Sequence, residues 1–452
     1  MIIDKALIES GIGSQLLTSL INKHMEQGRR LEKLTEYYLG KHAVMNRPKN
    51  DGLANNRVVS NYAKYITQTG VAYFLGNPIT YSCSEDMDIE PLKNCFLEQK
   101  MSLLDVQLAK QASICGKAIE MVYVNSEAKP KSCILPASQA FVVYDDSVEK
   151  NKLFGVHYYT QQNLDGTAGR CVATVADANY IYTFSAPSSF NGLIEERVEP
   201  HYFGKVPFIE YLNNDEEQGD FEQQISLIDA YNTLMSDRVN DKEQFVDAFL
   251  LLLGIDIDSA QAKALKREKV LCGEQGGKAE YLSKVLNEAD TDVLRKAISE
   301  EIHKQSFVPD LTDEKFSGNQ AGVALKYKLL GFDQATKHKE RFFEKGIGER
   351  IELYMNFLNV KQNVPIVPIH KIDIEFHRSL PANELEIAQM VSMLSQIVSD
   401  ETLLSRLPFV TDAKEEKRLV EKERKEKEET AFQTAFGYNK GIVTSSGDED
   451  EE

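Results

Sequence analysis

Residues 225 to about 360 constrain this chain most, because they carry helical patterns too long to stand without a partner. Ile228, Tyr231, Met235, Val239, Val246, Phe249 and Leu253 recur at three- and four-residue steps, with one break at Lys242, and so share one helical face. Asp229, Thr233, Ser236, Asn240, Glu243 and Asp247 follow the same period on another face. No Gly or Pro interrupts before Gly254. The pattern predicts a helix over 225–253, about 28 residues and roughly 40 Å long. Its end, Phe249–Leu253, is a short apolar run, far below the roughly 20 residues that cross a bilayer, and is expected to be buried in protein. A second helix is predicted over 290–309: Asp290 or Thr291 caps it, Leu294, Ile298 and Ile302 form a row, and Pro309 ends it. Residues 254–289 between them read as a small mixed unit. Strand-like stretches at Ile255–Ile257, Lys269–Leu271 and Ala279–Ser283 alternate there with a helical stretch, Ser259–Arg267, and a turn at Gly273–Gly277. Two helices that leave and return, with a small unit at their far end, make a stalk with more lateral surface than one chain buries. The simplest cover is further copies of the chain in a ring.

The rest of the chain supplies a platform. Residues 1–40 read as helical, with a stripe over Leu16–Met25 and a second over Leu31–Tyr38 that ends at Gly40. Asn61 or Ser60 caps a helix running toward Phe74, and Gly76-Asn77-Pro78 turns the chain into a strand. Strands are expected at Ile119–Val124, Phe141–Tyr144, Phe154–Tyr159, Cys171–Val175, Tyr180–Phe184 and Pro207–Tyr211, with polar turns between them. Asp145-Asp146 reads as a solvated turn rather than a metal pair. A helix follows over 323–360, with weak points at Gly331, Gly346 and Gly348 where kinks are expected. Its Lys326, Lys328, Lys337, Lys339, Arg341 and Lys345 make it locally basic, or form a solvated face balanced by Asp333, Glu340 and Glu344. Ile372–Phe376 alternate like a strand, 383–398 form an amphipathic helix, and 412–430 mix both charges as an exposed helix does. The class is α+β.

Composition narrows the function. The chain has 452 residues with 52 basic and 70 acidic side chains, a formal charge of −18. The acidic end, Asp448–Glu452, accounts for −5 of this. That balance argues against gripping a nucleic-acid backbone, which takes clustered Lys and Arg, but not against a surface along which DNA slides. Six cysteines show no CxxC pair and no His at zinc spacing, so reduced thiols and no metal are expected. Met1–Ser10 mixes acids with short apolar runs, unlike a signal peptide. Gly273–Lys278 lacks the spacing and the Ser or Thr of a P-loop, and there is no HExxH, no G-x-S-x-G and no helix-opening G-x-G-x-x-G. The chain is therefore not expected to be an enzyme or to hold a cofactor.

Four stretches in order carry a family resemblance. They are Asn55–Tyr81, preceded by Tyr37–His42 and Arg47; His201–Tyr211; Ser317–Tyr327; and Asn383–Gln389 leading into Thr402–Ser405. Over about residues 20–425 the chain resembles the portal proteins of tailed bacteriophages, in particular the Gp6-like portals of phages of Gram-positive bacteria. The resemblance implies a portal fold. Residues 1–224 become a β-rich wing, 225–253 and 290–309 the stem helices, and 254–289 a small α/β clip. Residues 310–322 become a tunnel loop, 323–360 a long kinked helix, 361–400 a return to the wing, 401–436 a helical crown, and 437–452 a disordered acidic tail. It also implies a dodecameric homo-oligomeric ring at one vertex of the virion capsid, assembled in the host cytoplasm, through which double-stranded DNA is packaged and ejected. The implied partners are the terminase large subunit, a head-completion adaptor, and the major capsid and scaffold proteins, with no membrane. The loop residues expected near DNA are Thr312, Asp313, Glu314, Lys315, Phe316, Ser317, Gly318, Asn319 and Gln320. Lys315 suits a phosphate, and Phe316 alternatively packs on a neighbouring loop. From its residues alone this stretch is an ordinary helix–helix connection. Asp229, Glu243 and Asp247 are the stem candidates for an acidic channel lining. A ring-forming helical scaffold or adaptor other than a portal explains the stalk equally, but not the stretches around Asn61 and Phe203.

Overall fold

The structure is a computed structural model. It describes residues 1–9, 11–48, 54–83, 87–246, 249–253, 278–282, 288–311, 327–378, 384–405, 407, 410 and 413–436. In order, the elements are β1 (Ile2–Ile3), α1 (Ser14–Tyr38), α2 (Tyr62–Leu75), β2 (Thr80–Cys83), α3 (Glu90–Glu98), α4 (Met101–Cys115), β3 (Lys117–Val124), β4 (Pro130–Leu135), β5 (Ala140–Asp145), β6 (Lys152–Gln162), β7 (Ala168–Ala176), β8 (Tyr180–Ala186), β9 (Ile194–Pro200) and β10 (Phe208–Leu212). Then come α5 (Ile225–Val246), β11 (Phe249–Leu253), β12 (Lys278–Leu282), α6 (Glu288–Ser306), α7 (Leu330–Gln362), β13 (Ile372–Glu375), α8 (Glu384–Leu394), α9 (Asp400–Leu404) and α10 (Ala413–Phe436). The α+β class holds.

A six-stranded sheet in the order β1-β5-β6-β7-β8-β9 forms one layer, antiparallel except for the β1–β5 pair. Every expected strand of the 141–184 region lies in it. Leu17, Leu20 and Ile21 of α1 close one of its faces over Phe141, Phe154, Val156 and Val175. The helix expected over 1–40 begins only at Ser14, because Ile2 and Ile3 pair with Tyr144 and Asp145 and the Met1 amino group donates to the Val142 carbonyl at 2.7 Å. Asp145 is no open turn residue. It ends β5, is buried, and its carboxylate accepts from Ser147 and from the backbone and side chain of Asn151, which holds it below the usual carboxylate range.

A three-stranded sheet, β10-β3-β4, packs one face on α4 and α7 in the main core and turns Ile119, Met121 and Phe208 on the other toward Ala140, Val142 and Ala176 of the larger sheet. Phe343, Ile347, Ile351 and Tyr354 follow the helical period along α7 and pack with Phe74, Leu92, Phe96, Leu108 and Tyr211. The helix runs unbroken from Leu330 to Gln362. Gly346 answers to packing rather than to a bend: a Cβ there would lie 2.5 Å from the Tyr211 ring. Residues 323–326 and the acidic tail 437–452 lie outside the described residues.

The predicted first stalk helix needs correction at its end. It stops at Val246, and Phe249–Leu253 is a strand, paired antiparallel with Lys278–Leu282 from Phe249↔Leu282 to Leu253↔Lys278. Five successive apolar residues give no helical stripe, and pairing with a second segment satisfies their backbone while tertiary context overrides leucine's helix preference. The strand expected at 279–283 is that partner. The other stretches expected within 254–277 lie outside the described residues.

Candidate functional site

The stalk pair α5 and α6 is held against the platform by the segment that precedes α2. Asn232, Ser236 and Asn240 stand at four-residue steps on α5, and each accepts a hydrogen bond from an alternate backbone N–H of residues 56–60. Ser60 donates to Asn232 Oδ1 at 2.7 Å, Val58 to Ser236 Oγ at 2.9 Å, and Asn56 to Asn240 Oδ1 at 2.6 Å. Four helical residues rise about 6.0 Å and two extended residues about 6.7 Å, so the helix serves as a neighbouring strand would. Arg57, between these positions, turns away and donates to the carbonyls of Met45 and Arg47. Arg47 in turn pairs with Asp237. His42, fully buried, lies with Nδ1 2.8 Å from Asn232 Nδ2. Ser236 and Asn240 had read as part of a polar face of the stalk, and Asn232 had not been singled out. Short amides and a hydroxyl, rather than charges, at i, i+4 and i+8 were the available signal of a backbone ladder.

Asn61 then caps α2, accepting from Lys64 N at 3.0 Å while its amide donates to the Tyr38 carbonyl. Three tyrosines of α2 reach the ends of the stalk and of the long helix. The Tyr62 ring lies 5.1 Å from Tyr231 on α5, and its hydroxyl is 2.9 Å from Ser299 Oγ on α6. Tyr65 donates to the Pro309 carbonyl at 2.9 Å and accepts from Leu311 N at 3.1 Å. Tyr73 stacks on Phe332 at 4.5 Å and donates to Asp333 Oδ1 at 3.1 Å, and burial with that carboxylate pushes its phenol up to about 12. His303 lies edge-on to both Tyr62 and Tyr65, its Nδ1 2.9 Å from the Val308 carbonyl. Ile228, Tyr231, Ile302, Val308, Leu329 and Phe332 close one apolar cluster around these groups.

Beneath α7 lies a charged core. Arg350 is fully buried, with Nη1 donating to Asp105 at 2.6 Å and Nε lying 2.9 Å from Glu120 Oε2, which also accepts from Tyr211 at 2.6 Å. One guanidinium thus faces two carboxylates, and burial raises the Asp105 pKa against the pull of Arg350. This cluster joins α4, β3, β10 and α7. The basic row of α7 is partly spent inside the chain, since Lys337 pairs with Asp333 at 2.7 Å and Lys339 with Asp220.

Among the predicted site residues, Asp229 is half-buried on α5 and accepts from the Tyr37 hydroxyl at 2.8 Å, an arrangement that pushes Tyr37 up to about 12 by burial and by this bond. Glu243 is exposed and accepts from the Asn56 amide. Both carboxylates therefore rest against the chain's own residues 37–56, bound there by neutral donors. Asp247 and residues 312–320 lie outside the described residues. Among the described residues no group of three His, Cys, Asp or Glu could hold a metal ion, and no helix is long and apolar enough to cross a membrane.

Comparison with known proteins identifies the family. The chain is 23% identical over 442 residues to the portal protein of Clostridium phage phiCD119, covering 90% of this chain and 96% of that protein. It is 22% identical over 392 residues to the portal protein of Bacillus phage SPP1, covering 82% of this chain and 77% of the other. Residues 17–430 match the family described as phage portal protein, SPP1 Gp6-like. That span takes in the ladder, the three tyrosines and the buried arginine core, and the chain accordingly belongs to the SPP1 Gp6-like family of phage portal proteins.

Proposed function

We propose that this chain forms a ring of about a dozen copies at one vertex of a phage capsid, the closed symmetry that covers the stalk's lateral surface. The ring is the conduit for double-stranded DNA during packaging and ejection. The match over residues 17–430 carries this reading. In it, residues 1–224 with 361–400 form the wing in the shell, α5 and α6 the stem, and the unit around β11 and β12 the clip. The clip docks the terminase large subunit during packaging and a head-completion adaptor afterwards, while the major capsid and scaffold proteins meet the wing. Helices α9 and α10 belong to the crown. The ring acts as a structural conduit, and the work of translocation falls to the terminase.

Residues 312–320 are the channel loop in this proposal, with Lys315 reaching phosphates. The stem acids Asp229, Glu243 and Asp247 act through their charge. The neutral donors on Asp229 and Glu243 leave that charge in place, and at physiological salt it reaches about 8 Å. Native mass spectrometry and negative-stain microscopy of the purified chain test the assembly, alone and with scaffold and shell proteins added. Rings with a central hole support the reading, and their absence in both preparations refutes it. Asp247→Lys then tests the acidic lining: an unchanged packaging rate and unchanged DNA retention remove it.

A further inference from the structure

We infer that Tyr65 and Tyr73 are positioning residues that fix both roots of the channel loop on one helix, an inference that rests on reading residues 312–320 as that loop. The chain leaves α6 at Ser306, and Phe307, at φ 60, turns it sharply out of the helix. Val308 is buried at the end of α6, and two backbone groups beyond it meet a single phenol. Tyr65 donates to the Pro309 carbonyl and accepts from Leu311 N, so one hydroxyl spans two residues as a partner strand would. Leu311 itself is 54% exposed, so its side chain supplies little packing to hold this root. The chain returns at Leu329, Phe332 and Asp333. There Tyr73 uses its ring on Phe332 and its hydroxyl on Asp333. Arg378 lies over the same Tyr73 ring at 5.9 Å and pairs with Asp333 and Glu340, which locks the returning root from the other side.

The two tyrosines stand eight residues apart on α2, about 12 Å along its axis. That helix is itself tied to the stem through Asn61 and the ladder of residues 56–60. A displacement of the stem therefore moves both roots together. The role is one of direction and not of bulk, because each tyrosine contributes a hydroxyl at a defined position, while Val308, Leu329 and Phe332 supply the apolar cover.

The test uses Tyr65→Phe, Tyr73→Phe and the double variant in the full-length ring, with Gly318→Pro as a loop control. The phenylalanines keep the rings in place, so ring formation is expected to stay at wild-type levels and the unfolding temperature to fall by no more than a few degrees. Hydrogen exchange at Leu311 is expected to quicken roughly five-fold in Tyr65→Phe, the loss of one hydrogen bond of about 1 kcal/mol. Exchange in α5 and α6 should be unchanged. The double variant is expected to lower the yield of DNA-filled capsids at least five-fold. If Gly318→Pro abolishes packaging while the double variant packages and exchanges as wild type, the positioning role is refuted and the loop reading stands. Reduced packaging with unchanged exchange at Leu311 also refutes it, since the defect then lies elsewhere. If Gly318→Pro packages normally, the loop reading fails and takes the positioning role with it.

Discussion

The ladder between α5 and residues 56–60 makes a graded prediction. Successive acceptors on α5 are four residues apart, so each step turns the side chain by about 40°. Ser236, in the middle, faces the segment most directly, and a hydroxyl suffices there. Asn232 and Asn240 are rotated to either side and reach with a longer side chain. Replacing Asn232 by Ser withdraws its acceptor by about 1 Å, from 2.7 Å to a separation beyond hydrogen bonding. Ser60 N–H loses its partner, and so does the contact with buried His42. Two unmet polar groups at about 1–3 kcal/mol each give a loss of about 2–6 kcal/mol for Asn232→Ser. Ser236→Ala strips one acceptor from Val58 N and is expected to cost about 1–2 kcal/mol. Asn240→Ser, at the more open end of the ladder, should cost about 1 kcal/mol. Guanidinium unfolding of the full chain measures all three, at one protein concentration and in one assembly state. Equal losses at the three positions, or a neutral Asn232→Ser, would show that the segment is held by its apolar neighbours and that the ladder is incidental.

Three further outcomes follow from buried groups. Arg350→Met leaves Asp105 and Glu120 buried without their cation and is expected to cost about 3–5 kcal/mol, whereas Asp105→Asn leaves one balanced pair and should cost far less; denaturant titration of both compares them. Gly346→Ala is expected to lose about 1–3 kcal/mol in thermal unfolding despite alanine's better helix propensity, because Tyr211 is fully buried, bonded to Glu120 and unable to yield to the new methyl. His24 is buried, and burial, with Lys117 and the N-terminal amine adding to it, lowers its pKa to about 4. The unfolded chain therefore binds the extra proton first, and stability is expected to fall by up to about 3 kcal/mol as pH drops from 6.5 to 4, a slope that His24→Asn should remove in unfolding curves across that range.

The strands with apolar alternation were legible in the sequence, as were the existence of both stalk helices and the exposed α10. That helix carries the expected i, i+4 pairs Lys422–Glu426 and Arg424–Glu428. Four strands escaped: β1 and β11 lie in stretches read as helical, and β9 and β4 carry no strand pattern. Along β9 every residue is exposed, so Ile194–Pro200 has no apolar alternation and owes its form to backbone pairing with β8. Strand β4 opens with Pro130 at a sheet edge, where a missing N–H costs nothing but the sequence reads as a break. Arg350 was illegible for another reason. In a helix with many charges, nothing local tells a buried arginine from a solvated one, and its partners Asp105 and Glu120 lie more than 200 residues away in sequence. Asp229, Glu243 and Asp247 were picked out by periodicity, which places side chains on a face without saying what covers that face. Here residues 37–56 cover part of it.

Why the stretch around Asn55–Asn61 should be so distinctive, though it forms no regular element, follows from the kind of register a conduit needs. The burial of apolar area is non-directional, so it specifies the axial position of a helix less sharply than hydrogen bonds do. Three hydrogen bonds between 2.6 and 2.9 Å, set at matched spacings, break together if the helix slips by even a fraction of a turn. The phenols of Tyr65 and Tyr73 apply the same logic at the ends of the stalk and of the long helix. Directional bonds fix the axial position of α5 against the platform, and the platform fixes α2. A ring of such chains holds α5 at one height in every copy while the apolar clusters supply most of the stability.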